Sequence, residues 1–187
     1  AQYSLRSAET ASFPSVVFAS DLSSLATIKV VSDGYPLRGQ VRIANNLFGD
    51  QRIAEGVPSR GSIWADSALM ARLGVDVGDR ISVGELDVSV DAVLMYRPDQ
   101  SIGFSSLAPS LLLNMGDLDA TGLISDGSRI RYAMLVAGLD DNVDAFYDEI
   151  EGQLPENVRS RNREEGSDRA NNAADRAQGF LSLTAVI

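Results

Sequence analysis

Apolar and polar residues alternate in several short stretches near the start of the chain, which is the pattern of strands with one buried face. The alternation predicts strands over residues 13–18, 26–32 and 40–44. Between the second and third, residues 33–39 (DGYPLRG) hold two glycines and a proline. That composition predicts a turn of fixed geometry. The first quarter of the chain is therefore expected to be β-structure joined by tight turns.

A helix signal follows at Gly61, where the hydrophobic period changes. Asp66 is the predicted N-cap of a helix over residues 67–73 (SALMARL), and Gly74 is its predicted end. Trp64 precedes this helix within an apolar run, and we expect it to be a core residue rather than a platform for a ligand.

Two alternating stretches come next, over residues 81–83 and 86–94. Gly84-Glu85 between them is typical of a tight hairpin. A further apolar run at 111–115 lies between glycine- and aspartate-rich segments. Together with the helix, these patterns predict a small β-rich module between about residues 59 and 126.

Strand character returns at residues 129–138, and a helical pattern follows it. Residues 140–142 (Asp-Asp-Asn) are predicted to cap a helix that runs to about Leu154, before Pro155. One more short strand is predicted at 157–160. The strands of 13–44 and the strand–helix–strand of 129–160 are expected to share one sheet, giving an α+β domain interrupted by the β-rich module. Two consecutive domains would give almost the same pattern.

Composition removes many kinds of chemistry. The chain has no cysteine and no histidine, which excludes disulfides, cysteine-bound metals, Ser-His-Asp triads and HExxH zinc sites. The single lysine, Lys29, has no serine three residues before it. No glycine-rich nucleotide loop is present. We therefore expect no cofactor, and only carboxylate chemistry is left for an enzyme. The composition permits that chemistry but does not indicate it.

The net charge is strongly negative. Sixteen basic and twenty-six acidic residues give a formal charge of −10 among 187 residues. Such a chain offers no broad basic surface for nucleic acid or anionic lipid headgroups, so we expect neither as a partner. Residues 180–187 (FLSLTAVI) are apolar and uncharged. Eight residues are too few to cross a bilayer, and they are expected to be either a packed helix end or the start of a membrane helix.

Two acidic patterns leave alternatives open. Residues 117–125 follow the oxygen-ligand spacing of an EF-hand calcium loop, but position 12 is Ser128 where a glutamate is needed. An aspartate-rich turn is the competing interpretation. The acid pairs Glu149/Glu151 and Glu164/Glu165 are expected on solvated faces, although a glycosidase-type carboxylate pair depends on a separation that only a structure gives.

The turn at residues 33–39 contains a candidate contact cluster, Tyr35, Pro36, Leu37 and Arg38. A tyrosine and an arginine beside a rigid turn are typical of interaction hot spots. The competing interpretation is a structural turn whose tyrosine packs inward.

Three segments of the chain resemble a known family. Residues 12–44, including YPLRG, residues 61–94, including LGVDVGD, and residues 121–138 are similar, in the same order, to the extracytoplasmic region of ABC-transporter permeases of the FtsX-like, MacB-type superfamily. The nearest subgroup is the YbbP-like permeases associated with lysophospholipase biosynthesis. The resemblance covers nearly the whole chain.

The resemblance implies a porter-like α/β-sandwich subdomain (1–58 and 127–163) interrupted by an inserted β-rich, sabre-like subdomain (59–126). Residues 164–187 would be a linker and the start of a transmembrane helix. It implies a non-catalytic domain on the periplasmic side of the inner membrane. The implied partners are a cytoplasmic ABC ATPase, a second permease copy, a hydrophobic or lipid-like substrate, and a periplasmic esterase or lysophospholipase.

Three functions are thus compared. The first is a permease domain that couples ATP hydrolysis to handling or export of a hydrophobic substrate. The alternatives are a soluble hydrolase that uses two carboxylates and a calcium-stabilised interaction module.

Overall fold

The structure is a computed structural model, and it describes residues 4–100, 108–125, 128–155 and 157–160. The chain forms two compact units. One unit is Arg6–Ala137, and the described part of the other consists of residues 4–5, 138–155 and 157–160. Each unit is described separately.

Within the described part of Arg6–Ala137, nine strands, one α-helix and two short 3-10 turns are present. The strands are β1 Arg6–Ala19, β2 Leu22–Val31, β3 Arg42–Ala44, β4 Arg52–Ile53, β5 Ser62–Asp66, β6 Arg80–Val83, β7 Leu86–Tyr96, β8 Ser110–Asn114 and β9 Arg131–Ala137. The helix α1 is Ser67–Leu73, and the 3-10 turns are Met115–Asp117 and Asp119–Thr121.

Six of the strands close into a barrel-like ring in the order β7-β5-β8-β2-β1-β6 and back to β7. The β5–β7 and β2–β8 pairs are parallel, and the other pairs of the ring are antiparallel. β9 is added to the free part of β1, and the β3–β4 pair is added to β7. The ring therefore has extensions at two places where a long strand continues beyond its neighbour.

The long strands β1 and β7 make this possible because each changes partner along one edge. One edge of β1 pairs with β2, while its other edge pairs with β9 near the start and with β6 near the end. In β7 the first residues pair with β6 and the last with β3, while the opposite edge follows β5.

Side chains alternate between the two faces of the ring and form two apolar clusters. Leu111 and Leu113 of β8 point into the barrel, whereas Leu112 belongs to a second cluster on the outer face. Helix α1 contributes Leu69, Met70 and Leu73 to the inner cluster. The outer cluster is covered by the chain between β2 and β3, which inserts Tyr35, Leu37 and Val41.

A β-bulge changes the facing of β7. Ile63 of β5 lies opposite Val90, but the next residue, Trp64, lies opposite Ala92, so Asp91 is an extra residue. Val90 and Val93 consequently both point into the barrel. The sequence pattern predicts regular alternation over 86–94, and in that detail the prediction is wrong.

The local signals in the β-rich module are confirmed. Asp66 is the N-cap of α1, and its side chain accepts a hydrogen bond from the Leu69 amide. Gly74 ends the helix in the left-handed conformation, with φ of 62°. Gly84-Glu85 forms the hairpin between β6 and β7. These signals succeed because each depends on residues close together in the chain.

The second unit contains α2, Asp140–Glu151. The prediction that residues 140–142 cap this helix is wrong, because its N-cap is Leu139, which has no capping side chain. Asp140 and Asp141 lie in the first turn instead, where carboxylates favour the positive end of the helix dipole. The helix ends before Gly152, not at Leu154. The described residues 157–160 form no strand, contrary to the prediction.

The sandwich architecture and the subdomain boundaries at 58/59 and 126/127 stay predictions. Strands from both predicted subdomains take part in the closed ring. Residues 164–187, predicted as linker and membrane-helix start, lie outside the described residues. Among the helices that the structure describes, none has the length and apolar character needed to cross a membrane.

Candidate functional site

The turn at residues 35–38 presents different faces to the protein and to solvent. Tyr35 and Leu37 are buried in the outer apolar cluster, and Arg38 is exposed. The Tyr35–Pro36 peptide bond is cis. The Leu37 carbonyl accepts a hydrogen bond of 2.9 Å from Nη2 of Arg6. Of the two interpretations of Tyr35, inward packing is the one observed, and a contact role for the four residues stays a prediction.

The Tyr35 hydroxyl leads to a polar cluster that local sequence patterns do not reveal. It donates a hydrogen bond of 2.6 Å to Oδ1 of Asp99, which lies 64 residues away in the chain. Lys29 Nζ is 2.9 Å from Oδ2 of the same carboxylate, and Arg97 Nη1 is 3.4 Å from Oδ1. The Lys29 ammonium also lies 6.0 Å from the centre of the Tyr35 ring. Lys29, Tyr35, Arg97 and Asp99 are called the Asp99 cluster below.

The electrostatics of this cluster fix the charges of its members. Burial by itself raises the pKa of the Asp99 carboxyl group. The hydrogen bonds from Tyr35 and Lys29 and the positive charges of Lys29 and Arg97 outweigh burial, so the pKa of Asp99 is lowered below its usual range. Burial raises the pKa of the Tyr35 hydroxyl, and the bond to Asp99 raises it further. At neutral pH the cluster therefore contains an ionised carboxylate and a protonated phenol.

Three members of the Asp99 cluster, Lys29, Arg97 and Asp99, line a pocket of about 260 Å³. The pocket floor consists of side chains from four strands: Thr10 and Ser12 of β1, Thr27 and Lys29 of β2, Ser110 of β8, and Arg131 and Ala133 of β9. The rest of the lining is Arg97, Asp99, Gln100 and Ala108. Four neighbouring strands thus supply the floor.

Strand register explains why these side chains meet. Ser12 lies opposite Lys29 on one side and opposite Arg131 on the other. Thr27 lies opposite Ser110 on β8. Since residues paired across a sheet point to the same face, hydroxyl and basic side chains from β9, β1, β2 and β8 converge on the outer face of the ring.

The pocket is locally basic within an acidic chain. Three basic side chains and one carboxylate line it, which leaves a net charge of +2. Lys29 and Arg97 are directed to Asp99, whereas no carboxylate in the described part of the chain forms an ion pair with Arg131. A cavity with this charge and several hydroxyl donors is suited to an anionic oxygen group.

Asp66 fixes one side of the pocket floor. Besides capping α1, its carboxylate accepts hydrogen bonds from the backbone amide of Ser110 at 2.6 Å and from its hydroxyl at 2.9 Å. The start of β8 is therefore tied to the start of α1, which positions Ser110 in the pocket.

The other predicted sites have structural explanations. Trp64 is buried at 7% exposure, which confirms it as a core residue. The Asp117 carboxylate accepts a hydrogen bond of 2.7 Å from the Gly61 amide and pairs with Arg60. The Thr121 hydroxyl donates to the Leu118 carbonyl. The calcium-loop pattern at 117–125 thus has its first and fifth oxygens engaged within the protein.

The acidic pairs do not form a site in the described residues. Glu149 and Glu151 are two positions apart on α2, so they point to different sides of the helix. Glu164 and Glu165 lie outside the described residues. Within the ranges that the structure describes, no group of three acidic side chains is placed to hold a metal ion.

Comparison with known proteins gives one informative relative. No family model matches the sequence. The chain is 29% identical over 175 residues to YbbP, an uncharacterized ABC transporter permease of Escherichia coli strain K12. The match covers 94% of this chain and 21% of the relative, so the chain spans about a fifth of that protein. This similarity supports a relationship to ABC transporter permeases.

Proposed function

We propose that the chain is an extracytoplasmic domain of an ABC-transporter permease of the FtsX-like, MacB-type superfamily, in its YbbP-like subgroup. The observation that carries the proposal is the similarity over 94% of the chain to a permease. In this role the domain is non-catalytic. It couples ATP hydrolysis on the cytoplasmic side to movement of a hydrophobic or lipid-like substrate on the periplasmic side of the inner membrane.

Two features of the described residues support a binding and force-transmitting role. The closed ring and its two apolar clusters make a stiff body, as a part that transmits movement requires. The pocket on its outer face contains one carboxylate, Asp99, which is engaged by Tyr35, Lys29 and Arg97. Such a carboxylate is a poor general base because its pKa is lowered.

The proposed partners follow from the same relationship. They are a cytoplasmic ABC ATPase, a second copy of the permease, and a periplasmic esterase or lysophospholipase that receives or releases the substrate. The sandwich and sabre-like subdomains at the predicted boundaries belong to this proposal.

The absence of cysteine allows a sharp test of topology. Phe48 lies in the connection between β3 and β4 and is 98% exposed. In the full-length protein of the native gene, with any cysteines outside this chain replaced, Phe48→Cys should react in intact cells with a maleimide that does not cross the inner membrane.

The matched control is Val17→Cys, because Val17 is buried in the barrel. It should react only after denaturation. Reaction of Phe48→Cys that requires lysis of the cells would place this domain in the cytoplasm and contradict the proposal. Recovery of the full-length protein in the soluble fraction, without membranes, would contradict the permease assignment itself.

A further inference from the structure

A strip of exposed apolar side chains continues from the basic pocket along the same face of the β1–β2 hairpin. It consists of Pro14, Val16 and Phe18 of β1 and Leu25 of β2, and is called the apolar strip below. Val16 and Leu25 are directly paired across the strands. Their exposures are 42% and 61%, and that of Phe18 is 49%.

Strand alternation joins the strip to the pocket. Thr10, Ser12, Pro14, Val16 and Phe18 are alternate residues of β1, so their side chains point to one face of the sheet. The first two line the pocket, and the last three form the strip. One face of one hairpin therefore changes from basic and hydroxyl-bearing to apolar over a few residues.

We propose that this face binds a single-chain amphiphile, with its anionic phosphate or carboxylate head in the pocket and its hydrocarbon chain on the apolar strip. The proposal names a ligand class for the permease domain and in that sense rests on the proposed function. The polarity of the face selects the ligand, since a free anion would leave the strip exposed and a neutral oil would leave the positive charge unpaired.

The dimensions favour one hydrocarbon chain. From Ser12 to Phe18 the strand extends about 20 Å, at about 3.4 Å per residue. A bilayer's hydrocarbon core is about 30 Å thick, so one acyl chain occupies about half of that length. The strip is two strands wide, and the strands are about 4.8 Å apart, so it is wide enough for one hydrocarbon chain but not for two.

The positive charge of the pocket favours a ligand with a small anionic head group. The chain as a whole carries −10, which disfavours binding to an extended anionic surface. The pocket itself carries +2, and its basic groups lie in a cavity of about 260 Å³, where screening is weaker than at an open surface. A single small anion enters this local field without bringing the acidic body against a membrane.

Arg131 is the side chain through which the head group can be tested. It is exposed, and it lies opposite Ser12 at the pocket floor. Lys29 and Arg97 already contact Asp99, so removing either one disturbs the Asp99 cluster as well as the pocket. Replacement of Arg131 removes charge with little effect on folding.

The experiment measures binding of decyl phosphate to the 187-residue chain by calorimetry, below the critical micelle concentration. Decyl phosphate should bind at least tenfold more tightly than inorganic phosphate and than decyl maltoside. Arg131→Gln should weaken it about tenfold, the scale of one charge-assisted contact. Val16→Ser combined with Leu25→Ser should weaken it by a similar factor without changing the weak binding of inorganic phosphate.

Matched controls separate the site from general effects of charge and hydrophobicity. Arg129→Gln removes an exposed arginine two residues away, outside the pocket lining, and Met134→Ser removes a side chain of 64% exposure from the opposite face of β9. Both should bind decyl phosphate like the parent chain. Amide resonances of Ser12, Thr27 and Lys29 should shift on titration.

Each contrary result overturns the proposal in a defined way. Equal affinity for inorganic phosphate would mean a free-phosphate site, and equal affinity for decyl maltoside would mean an apolar surface without head-group recognition. No binding of any probe would remove the site altogether while leaving the topology test of the permease assignment unaffected. A cytoplasmic result in that topology test would, conversely, leave measured binding intact.

Discussion

At the scale of single residues, Asp99 is the best-defined feature of the candidate site. Its carboxylate is contacted by the hydroxyl of Tyr35, the ammonium of Lys29 and the guanidinium of Arg97. A half-buried charge of this kind is tolerated because its partners replace water. Loss of one partner therefore costs more than the contact itself contributes, since the remaining charge is left incompletely solvated.

Replacing Tyr35 by phenylalanine should lower the free energy of unfolding by about 1–2 kcal/mol at pH 7, because Asp99 loses a short hydrogen bond while the ring is kept. The exposed Tyr132 supplies the control: Tyr132→Phe should change stability by less than about 0.5 kcal/mol. Urea unfolding of both variants measures the difference.

The same pair should show a characteristic pH dependence. Asp99 has a pKa below its unfolded value, so its contribution is present above about pH 4 and is lost as pH falls through the folded pKa. Tyr35 has a raised pKa, so its contribution is present below pH 10.0 and is lost as pH rises further. The stability difference between the parent chain and Tyr35→Phe should be greatest between these limits, and a constant difference would refute the coupling.

At the scale of elements, the turn of the β6–β7 hairpin packs against the backbone of Thr121. A Cβ at Gly84 would lie 2.0 Å from the Thr121 carbonyl oxygen, which accepts the hydrogen bond of the Glu85 amide. The turn therefore requires glycine both for its φ of 63° and for close approach to the 3-10 turn Asp119–Thr121.

Gly74 provides a matched comparison for Gly84. Its φ is 62°, but the nearest atom to an added Cβ is a side-chain carbon of Leu22 at 3.5 Å. Gly74→Ala should cost about 1–2 kcal/mol through backbone strain alone. Gly84→Ala should cost about 3 kcal/mol or more, because the backbone of Thr121 must also move. Equal thermal stability of the two variants would show that the hairpin is not held against that turn.

Elements were predictable wherever the signal is local. Helix α1 begins after Asp66 and ends before Gly74, as the sequence pattern predicts, because a capping interaction involves only residues of the same helix end. The N-cap of α2 was predicted at residues 140–142, one to three residues too late, because each of these three polar residues has the chemistry of a cap whereas the backbone places Leu139 there. β1 extends on both sides of the predicted 13–18 because its pairing with β2 and β9 supports residues of low strand preference.

At the scale of the whole molecule, strand pairing and the candidate site were beyond the reach of pattern analysis. The alternation of β2 and β8 predicts strands, but nothing in it specifies their parallel pairing across about eighty residues of sequence. The contact between Tyr35 and Asp99 joins residues 64 positions apart in the chain. The convergence of Ser12, Lys29 and Arg131 depends on the pairing of β1 with both β2 and β9. The resemblance to permeases supplied the functional class, which the pocket geometry alone does not.

Closure of the sheet should be visible in hydrogen exchange. Strands of the ring have partners on both edges, whereas β9 pairs only with β1 and β4 only with β3 among the described strands. Amides of β2, β5 and β8 should exchange at the rate of global unfolding, and those of β9 should exchange faster through local opening. Protection of β9 equal to that of β2 would mean that β9 detaches only when the barrel opens.

The extra residue Asp91 determines which changes of length β7 can accept without turning its side chains to the other face. Removing it would restore plain alternation and leave Val93 in the barrel and Leu94 outside it, because Ile63 and Trp64 are consecutive in β5 and already lie opposite Val90 and Ala92. At any other position in β7, a change of one residue reverses the facing of everything that follows, whereas a change of two residues keeps it. Among relatives, β7 should therefore be one residue shorter where the bulge itself is lost, and elsewhere it should vary in length by even numbers, or by one only together with a second change that restores the count.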